Sequence, residues 1–217
     1  MIETINLTAF NPLVQMYAAD APWPIVSAAL RRSAIEFCER TKCWRATLPM
    51  DITRQDEAIL LPIYATVDEI EAARFNGDTD LAPIPYVESS KWPSVGHPRF
   101  ITQQNADTVR ILPFEAGSLE LDVLLKPIEG HAFAPVPGSG YPQDQHDVVP
   151  KLLYTGHAEA IAAGALKRVL IVPGQTYSNP DLAAYFGSVF EAAANNHFAD
   201  CVTGQQQAPI RSKPSFM

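Results

Sequence analysis

The sequence predicts an α+β fold, in which a bundle of three main helices carries an inserted antiparallel β-sandwich or barrel and an extended C-terminal tail. Apolar residues recur at helical spacing near both ends of the chain, whereas in the middle they alternate every second residue. Because no helical pattern interrupts the middle, its short strands are expected to pair antiparallel. The expected parts are an N-terminal segment with the first helix (1–43), the β-domain (44–128), a Pro/Gly-rich loop (129–147), a helical hairpin (148–202) and the tail (203–217).

The first helix is preceded by Pro22 and Pro24, and we expect it to end near Thr41. Its apolar face consists of Val26, Leu30, Ala34, Phe37 and Cys38, and its polar face of Arg31, Arg32, Glu36, Glu39 and Arg40. The polar face has two interpretations. It is either a solvated surface, or its three arginines pair with acidic residues of a neighbouring subunit.

The β-domain begins at Trp44, where the period of the apolar residues changes to two. Strand patterns occupy residues 44–53, 58–63, 68–75, 100–104, 108–112 and 118–126. Asn76-Gly77 and Asn105-Ala106-Asp107 predict hairpin turns. The last strand, which Pro127 ends, has its apolar side chains on one face: Leu119, Leu121, Val123 and Leu125.

The helical hairpin carries a stripe of small residues, Gly156, Ala160 and Gly164, spaced four apart in its first helix. Since glycine lowers helix propensity, we expect another element to approach closely there. After a turn at Pro173-Gly174, the second helix has Asn179 as its N-cap, and Ser178 and Asp181 fit a capping box. Its predicted apolar face consists of Leu182, Phe186, Val189 and Ala193.

Composition limits the partners of the chain. The net charge of −8 argues against a grip on nucleic acid, because that affinity depends on cations that replace counterions. The charge is compatible with a surface along which DNA slides without sticking. Three cysteines, Cys38, Cys43 and Cys201, form no tight pair and favour a reducing compartment. We expect no signal peptide and no membrane span.

Patterns that carry chemistry are sparse. His157 and Glu159 form the H-x-E pair of zinc deaminases, but no Pro-Cys-x-x-Cys follows, so packing in a core or interface is the favoured role of His157. Cys38 and Cys43 have no usual zinc or redox spacing. We expect no catalytic residue, no cofactor and no metal site.

The tail contains Arg211 and Lys213 but no acidic residue, and it has too few apolar residues to fold alone. It is either a frayed terminus or an extended peptide that docks on a partner, with Phe216 as the anchor and the cations facing acids. The expected docking residues are Ile210, Arg211, Lys213, Pro214, Phe216 and Met217.

Three stretches, taken in order, have a combined pattern. In NPLVQMYAADAPWPIVSAALRRSAIEFCERTKCWR a proline-led helix ends at a tryptophan, and in VRILPFEAGSLELDVLLKP prolines bracket an alternating strand. In GHAEAIAAGALKRVLIVPGQTYSNPDLAAYFGSVFEAA a small-residue helix precedes a Pro-Gly turn and an Asn-Pro helix start. As a set they resemble the head-to-tail adaptor (connector) proteins of tailed bacteriophages.

The resemblance implies a virion structural protein that forms a ring, usually of twelve copies, beneath the portal protein. Such a ring extends the DNA channel for genome ejection, holds DNA without specific binding, and gives a downstream tail or neck protein its platform. The implied location is the head–tail junction, after synthesis in the host cytoplasm, with no membrane partner. The polar face with Arg31, Arg32 and Arg40 and the small-residue stripe would lie between subunits, and the tail would reach into the portal.

Two other functions stay open. A tail terminator or tail-tube ring is expected to be mainly β, so three helices argue against it. A small thiol- or histidine-dependent enzyme that uses Cys43 or His157 would lose turnover, and keep its assembly, on Cys43→Ser or His157→Ala.

Overall fold

The chain has a mixed α+β fold in the computed structural model, which describes residues 3–62, 64–103, 105–128 and 147–203. It forms two compact units, a helical unit from residues 1–43 and 129–217 and a β-unit from residues 44–128. The β-unit therefore interrupts the sequence of the helical unit, at the positions where the residue pattern changes. Residues 129–146 of the predicted loop lie outside the described part.

The described helices are α1 (Asn11–Gln15), α2 (Trp23–Thr41), α3 (Lys151–Val169) and α4 (Pro180–Thr203), with 3-10 turns at Leu7–Phe10 and Tyr86–Lys91. The described strands are β1 (Thr4–Asn6), β2 (Arg45–Ile52), β3 (Asp56–Ala58), β4 (Ala65–Phe75), β5 (Thr79–Asp80), β6 (Ala82–Pro83), β7 (Phe100–Thr102), β8 (Thr108–Leu112), β9 (Gly117–Pro127) and β10 (Val148–Pro150). In the helical unit β1 pairs antiparallel with β10, which joins the two separated parts of its sequence.

Helix α2 buries every residue of its predicted apolar face, each at most 2% exposed. Arg31 is buried as well, at 5% exposure, so its placement on the polar face is wrong. The reason is that α2 packs against both α3 and α4, which widens its buried sector beyond one stripe. Helix α2 ends at Thr41 and is capped by Lys42, whose φ of 55° is left-handed.

Helix α3 is kinked at His157, whose backbone is non-helical (φ −139°, ψ 17°). Helix α4 begins as predicted, because the Asn179 side chain accepts a hydrogen bond from the Leu182 N–H at 3.1 Å. The capping box is wrong, since the Ser178 hydroxyl donates to the Leu170 carbonyl instead.

The buried face of α4 also differs from the prediction. Its most buried side chains are Ala183, Phe186, Phe190 and Ala194, whereas Leu182, Val189 and Ala193 are only half-buried. Phe190, which is 0% exposed, was absent from the predicted face. The buried stripe of α4 is therefore rotated about the helix axis from the predicted stripe, toward Phe190.

The β-unit contains two four-stranded sheets, ordered β2-β9-β4-β5 and β3-β8-β7-β6, and the described strands close no barrel. The central strand β9 buries Leu119, Leu121, Val123 and Leu125 as predicted. Both hairpins form, between β4 and β5 at Asn76-Gly77 and between β7 and β8. The expectation of purely antiparallel pairing is wrong, because β6 pairs parallel with β7 and Val95 forms a parallel bridge with Phe114.

Candidate interaction site

Arg31 lies in the helical unit, where its guanidinium donates to the Asp147 carboxylate at 2.9 Å. The arginine is 5% exposed and the aspartate 50%. A charged group that is buried this far needs an opposite charge, and the chain supplies one itself. Arg31 therefore does not need the acid from a neighbouring subunit that the sequence suggested.

Arg40 joins a cluster of charges where α2, α3 and α4 meet. Its guanidinium lies 2.6 Å from Glu191 and donates to Asn195 at 3.1 Å. Hydrogen bonding to Arg40, and then the positive charges of Arg40 and Lys167, hold the pKa of Glu191 below its usual range. The charge of Arg40, like that of Arg31, is thus paired within its own chain.

Glu36 is the second acid of this cluster and binds the third cation, Arg168, directly. Lys167 lies 3.7 Å from Glu36 and 3.4 Å from Glu191, so it bridges the two carboxylates. The cluster links three helices. Because its groups are partly exposed, its ion pairs contribute little to the free energy of unfolding and mainly fix how the helices align with one another.

Arg32 is the predicted interface arginine that remains on the surface. No ion pair of Arg32 is found among the described residues. It borders an open hollow of about 520 Å³ between the start of α2 and the end of α3. Ile25 and Ile171, which are 39% and 63% exposed, border the same hollow. We call this surface, made by Ile25, Arg32 and Ile171, the Arg32 face.

The small-residue stripe does not act as one surface. At Gly164 an added Cβ would lie 2.7 Å from the Phe190 ring and 3.0 Å from the Ser33 Cβ, so the close approach is within the chain. Ala160 is also buried, at 7% exposure. Gly156, directly before the kink at His157, is exposed, with nothing within 4 Å of its Cβ position. The expectation of a continuous subunit contact along the stripe is therefore wrong for its buried part.

A second groove was missed by sequence reasoning. It has a volume of about 300 Å³ and lies between the segment that follows α1, the middle of α3 and the start of α4. Tyr17 and Tyr185 both pack edge-on against Phe186, with ring centroids 4.8 and 5.3 Å apart. Glu159 supplies a carboxylate, and no ion pair of this residue is found in the described part of the chain. We call the surface of Met16, Tyr17, Glu159, Tyr185 and Phe186 the aromatic groove.

The sequence contains only a weak indication of the aromatic groove. Tyr185 directly precedes a residue of the predicted apolar face of α4, and Tyr17 lies in a segment without clear periodicity. An exposed aromatic residue beside an apolar stripe is the kind of pattern that marks a contact surface. Nothing in the order of the residues shows that the two tyrosines meet.

His157 packs in the helical unit, as the favoured interpretation of its role expected. Its ring lies 4.8 Å from the Phe37 ring and 4.4 Å from the His197 ring. Burial, and then the charge of His197, lower the pKa of His157 to about 4. The ring is therefore neutral near pH 7, and its Nδ1 is buried without a hydrogen-bond partner among the described residues.

Two of the three cysteines, Cys38 and Cys43, have side chains that the structure describes. Cys38 is buried and Cys43 half-buried, and neither forms a disulfide in the described part of the chain, which excludes the Cys201 side chain.

Within residues 3–62, 64–103, 105–128 and 147–203, no three His, Cys, Asp or Glu side chains are grouped to hold a metal ion. None of the helices described has the length and apolarity to span a membrane.

All six predicted docking residues of the tail, from Ile210 to Met217, lie outside the described residues. No family model matches the chain, and no curated protein is significantly similar in sequence.

Proposed function

We propose that the protein is a virion structural protein of a tailed bacteriophage, a head-to-tail adaptor that forms a ring beneath the portal. The observation that carries the proposal is the layout of the chain, in which both ends of the sequence build one helical unit and the residues between them form a β-unit. The resemblance of three sequence stretches implies this same order. In the finer form of the proposal the helices are a bundle and the two sheets a sandwich.

The surface of the helical unit supports a role in assembly. Met16 is 72% exposed, Tyr17 48% and Tyr185 59%, and all three border the aromatic groove. Single apolar residues on a surface are ordinary, but a group of large ones around a groove is typical of a contact with another protein. An adaptor has such contacts with its own copies, with the portal and with a downstream tail or neck protein.

The charges suit a channel and a docking tail. A net charge of −8 repels the DNA backbone, so the genome can pass through the ring without being held. The tail carries Arg211 and Lys213, which would face acidic residues of the portal while Phe216 fills an apolar pocket. The proposal assigns no catalytic residue, no cofactor and no metal, and it places the protein at the head–tail junction.

Electron microscopy of the purified full chain mixed with the portal protein of the same phage tests the proposal. A ring of the chain beneath the portal is the expected result. A chain that leaves the portal bare contradicts the proposed function. Cys43→Ser should leave the ring unchanged, because no thiol chemistry is involved.

The tail assignment has its own test in the same mixture. Phe216→Ala combined with Arg211→Glu should abolish attachment, whereas the matched change Gln206→Ala with Gln207→Ala, in the same segment, should not. Attachment that survives the first pair of changes shows that the tail is not the portal anchor, even if the ring forms.

A further inference from the structure

The Arg32 face and the aromatic groove have complementary chemistry. The groove offers two exposed tyrosine rings and the Glu159 carboxylate. A guanidinium fits such a site, because it stacks on aromatic rings and pairs with a carboxylate in one plane. The Arg32 face presents a guanidinium at a hollow that two exposed isoleucines also border, and neither Arg32 nor Glu159 has an ion pair within the described residues.

The two surfaces lie on opposite sides of α3. Glu159 borders the aromatic groove and Arg168 borders the hollow of the Arg32 face, and nine residues separate them. An α-helix turns by about 100° per residue, so nine residues rotate a side chain by about half a turn beyond full turns. The kink at His157 precedes this segment and does not disturb the relation. One copy therefore cannot bring its own two surfaces together, but two copies can.

We propose that the aromatic groove of one copy receives the Arg32 face of a second copy, with Arg32 seated between Tyr17 and Tyr185 and paired with Glu159. Ile25 and Ile171 cover the exposed parts of Met16 and Tyr185. Such a contact joins two different surfaces, so a bound pair of copies leaves one aromatic groove and one Arg32 face open. Repetition of a contact of this type generates a ring if the rotation closes.

This inference rests on the proposed function, since it names the subunit contact of that ring. The proposed contact differs from the interpretation of the sequence in which Arg31, Arg32 and Arg40 all pair with acidic residues of a neighbouring subunit. Arg31 and Arg40 bind carboxylates of their own chain, which leaves Arg32 as the arginine available to a neighbour.

Charge reversal of the pair tests the contact. Sedimentation velocity on the full chain, over about 10 to 500 μM, gives the self-association of the wild type and of Arg32→Glu and Glu159→Arg. Each single variant should associate more than about tenfold more weakly, because like charges then face each other. In a 1:1 mixture the two variants should assemble as alternating copies, because each then presents the opposite charge to the other at both surfaces, and the double variant should regain the wild-type assembly. Arg99→Glu, an exposed arginine of the β-unit, is the control of equal charge change.

Each other outcome has a defined meaning. If the wild type forms rings and both single variants form them equally well, the proposed contact is wrong while the proposed function stands. If Arg211→Glu with Lys213→Glu abolishes association and Arg32→Glu does not, the tail fills the groove and the proposal is overturned. A wild type that stays monomeric at all concentrations contradicts the contact, whereas the portal mixture described above decides the function separately.

Discussion

Gly164 of α3 lies against the ring of Phe190 of α4, and a Cβ atom at position 164 would come within 2.7 Å of ring carbon Cδ2. The same Cβ would lie 3.0 Å from the Cβ of Ser33 on α2. A single glycine therefore sets the spacing among the three long helices. Because Phe190 is fully buried, its ring cannot move aside into solvent.

Replacing Gly164 by alanine should destabilise the protein by about 1–3 kcal/mol, although alanine gains up to about 1 kcal/mol in helix propensity. Denaturant unfolding followed by the helical circular dichroism signal measures the change. Gly156→Ala is the matched control and should be neutral or stabilising, since nothing lies within 4 Å of its Cβ position. If both variants have the same stability, Phe190 does not limit the helix spacing.

Local sequence patterns were sufficient for much of the fold. The change of period at Trp44 marks the start of the β-unit, and Asn76-Gly77 marks a hairpin, because turns and alternation depend on neighbouring residues alone. The parallel pair of β6 and β7 was not predictable in this way. It joins short segments that are separated along the chain, and its pairing depends on where the chain returns.

The candidate site was harder to predict because it depends on which residues meet. Phe190 was missed since two overlapping stripes of α4 have helical spacing, and the contact of Phe190 with Gly164 on another helix cannot be found from the sequence of α4 alone. Arg31 was assigned to a polar face because its partner, Asp147, is distant in sequence. Tyr17 and Tyr185 come from opposite ends of the chain and share a groove only in the folded unit.

The ion pair of Arg31 with Asp147 should contribute measurably to stability, because the arginine is buried. Asp147→Asn should destabilise the protein by about 1–2 kcal/mol, less than the loss of a fully buried partner, since Asp147 is half exposed. Thermal and denaturant unfolding measure the effect. Asp107→Asn, an exposed aspartate of the β-unit with no ion pair among the described residues, is the control and should change little. If the two variants are equally stable, the ion pair between Arg31 and Asp147 contributes nothing to the free energy of unfolding.

Position 77 in the turn between β4 and β5 should tolerate substitution according to backbone conformation alone. Gly77 has φ of +79° and nothing within 4 Å of its Cβ position, so the space is open but the conformation is left-handed. Gly77→Ala should cost about 1 kcal/mol, whereas Gly77→Asn should cost less because asparagine adopts this region more readily. Unfolding followed by a β-sheet signal ranks the two variants. A larger loss for asparagine than for alanine would contradict the backbone explanation.

The stability of the protein should fall as the pH is lowered from about 6.5 towards 5, because of His157. Its pKa is about 4 in the folded protein, against an ordinary value of 6.5, so the unfolded chain binds more protons in this window and acid favours unfolding. The loss begins above the pH range in which carboxylates titrate, which separates it from theirs. Denaturant unfolding at pH 7, 6 and 5 should show a weaker pH dependence for His157→Gln than for the wild type. If His157→Gln keeps the pH dependence of the wild type, burial of this ring is not the source of the acid sensitivity.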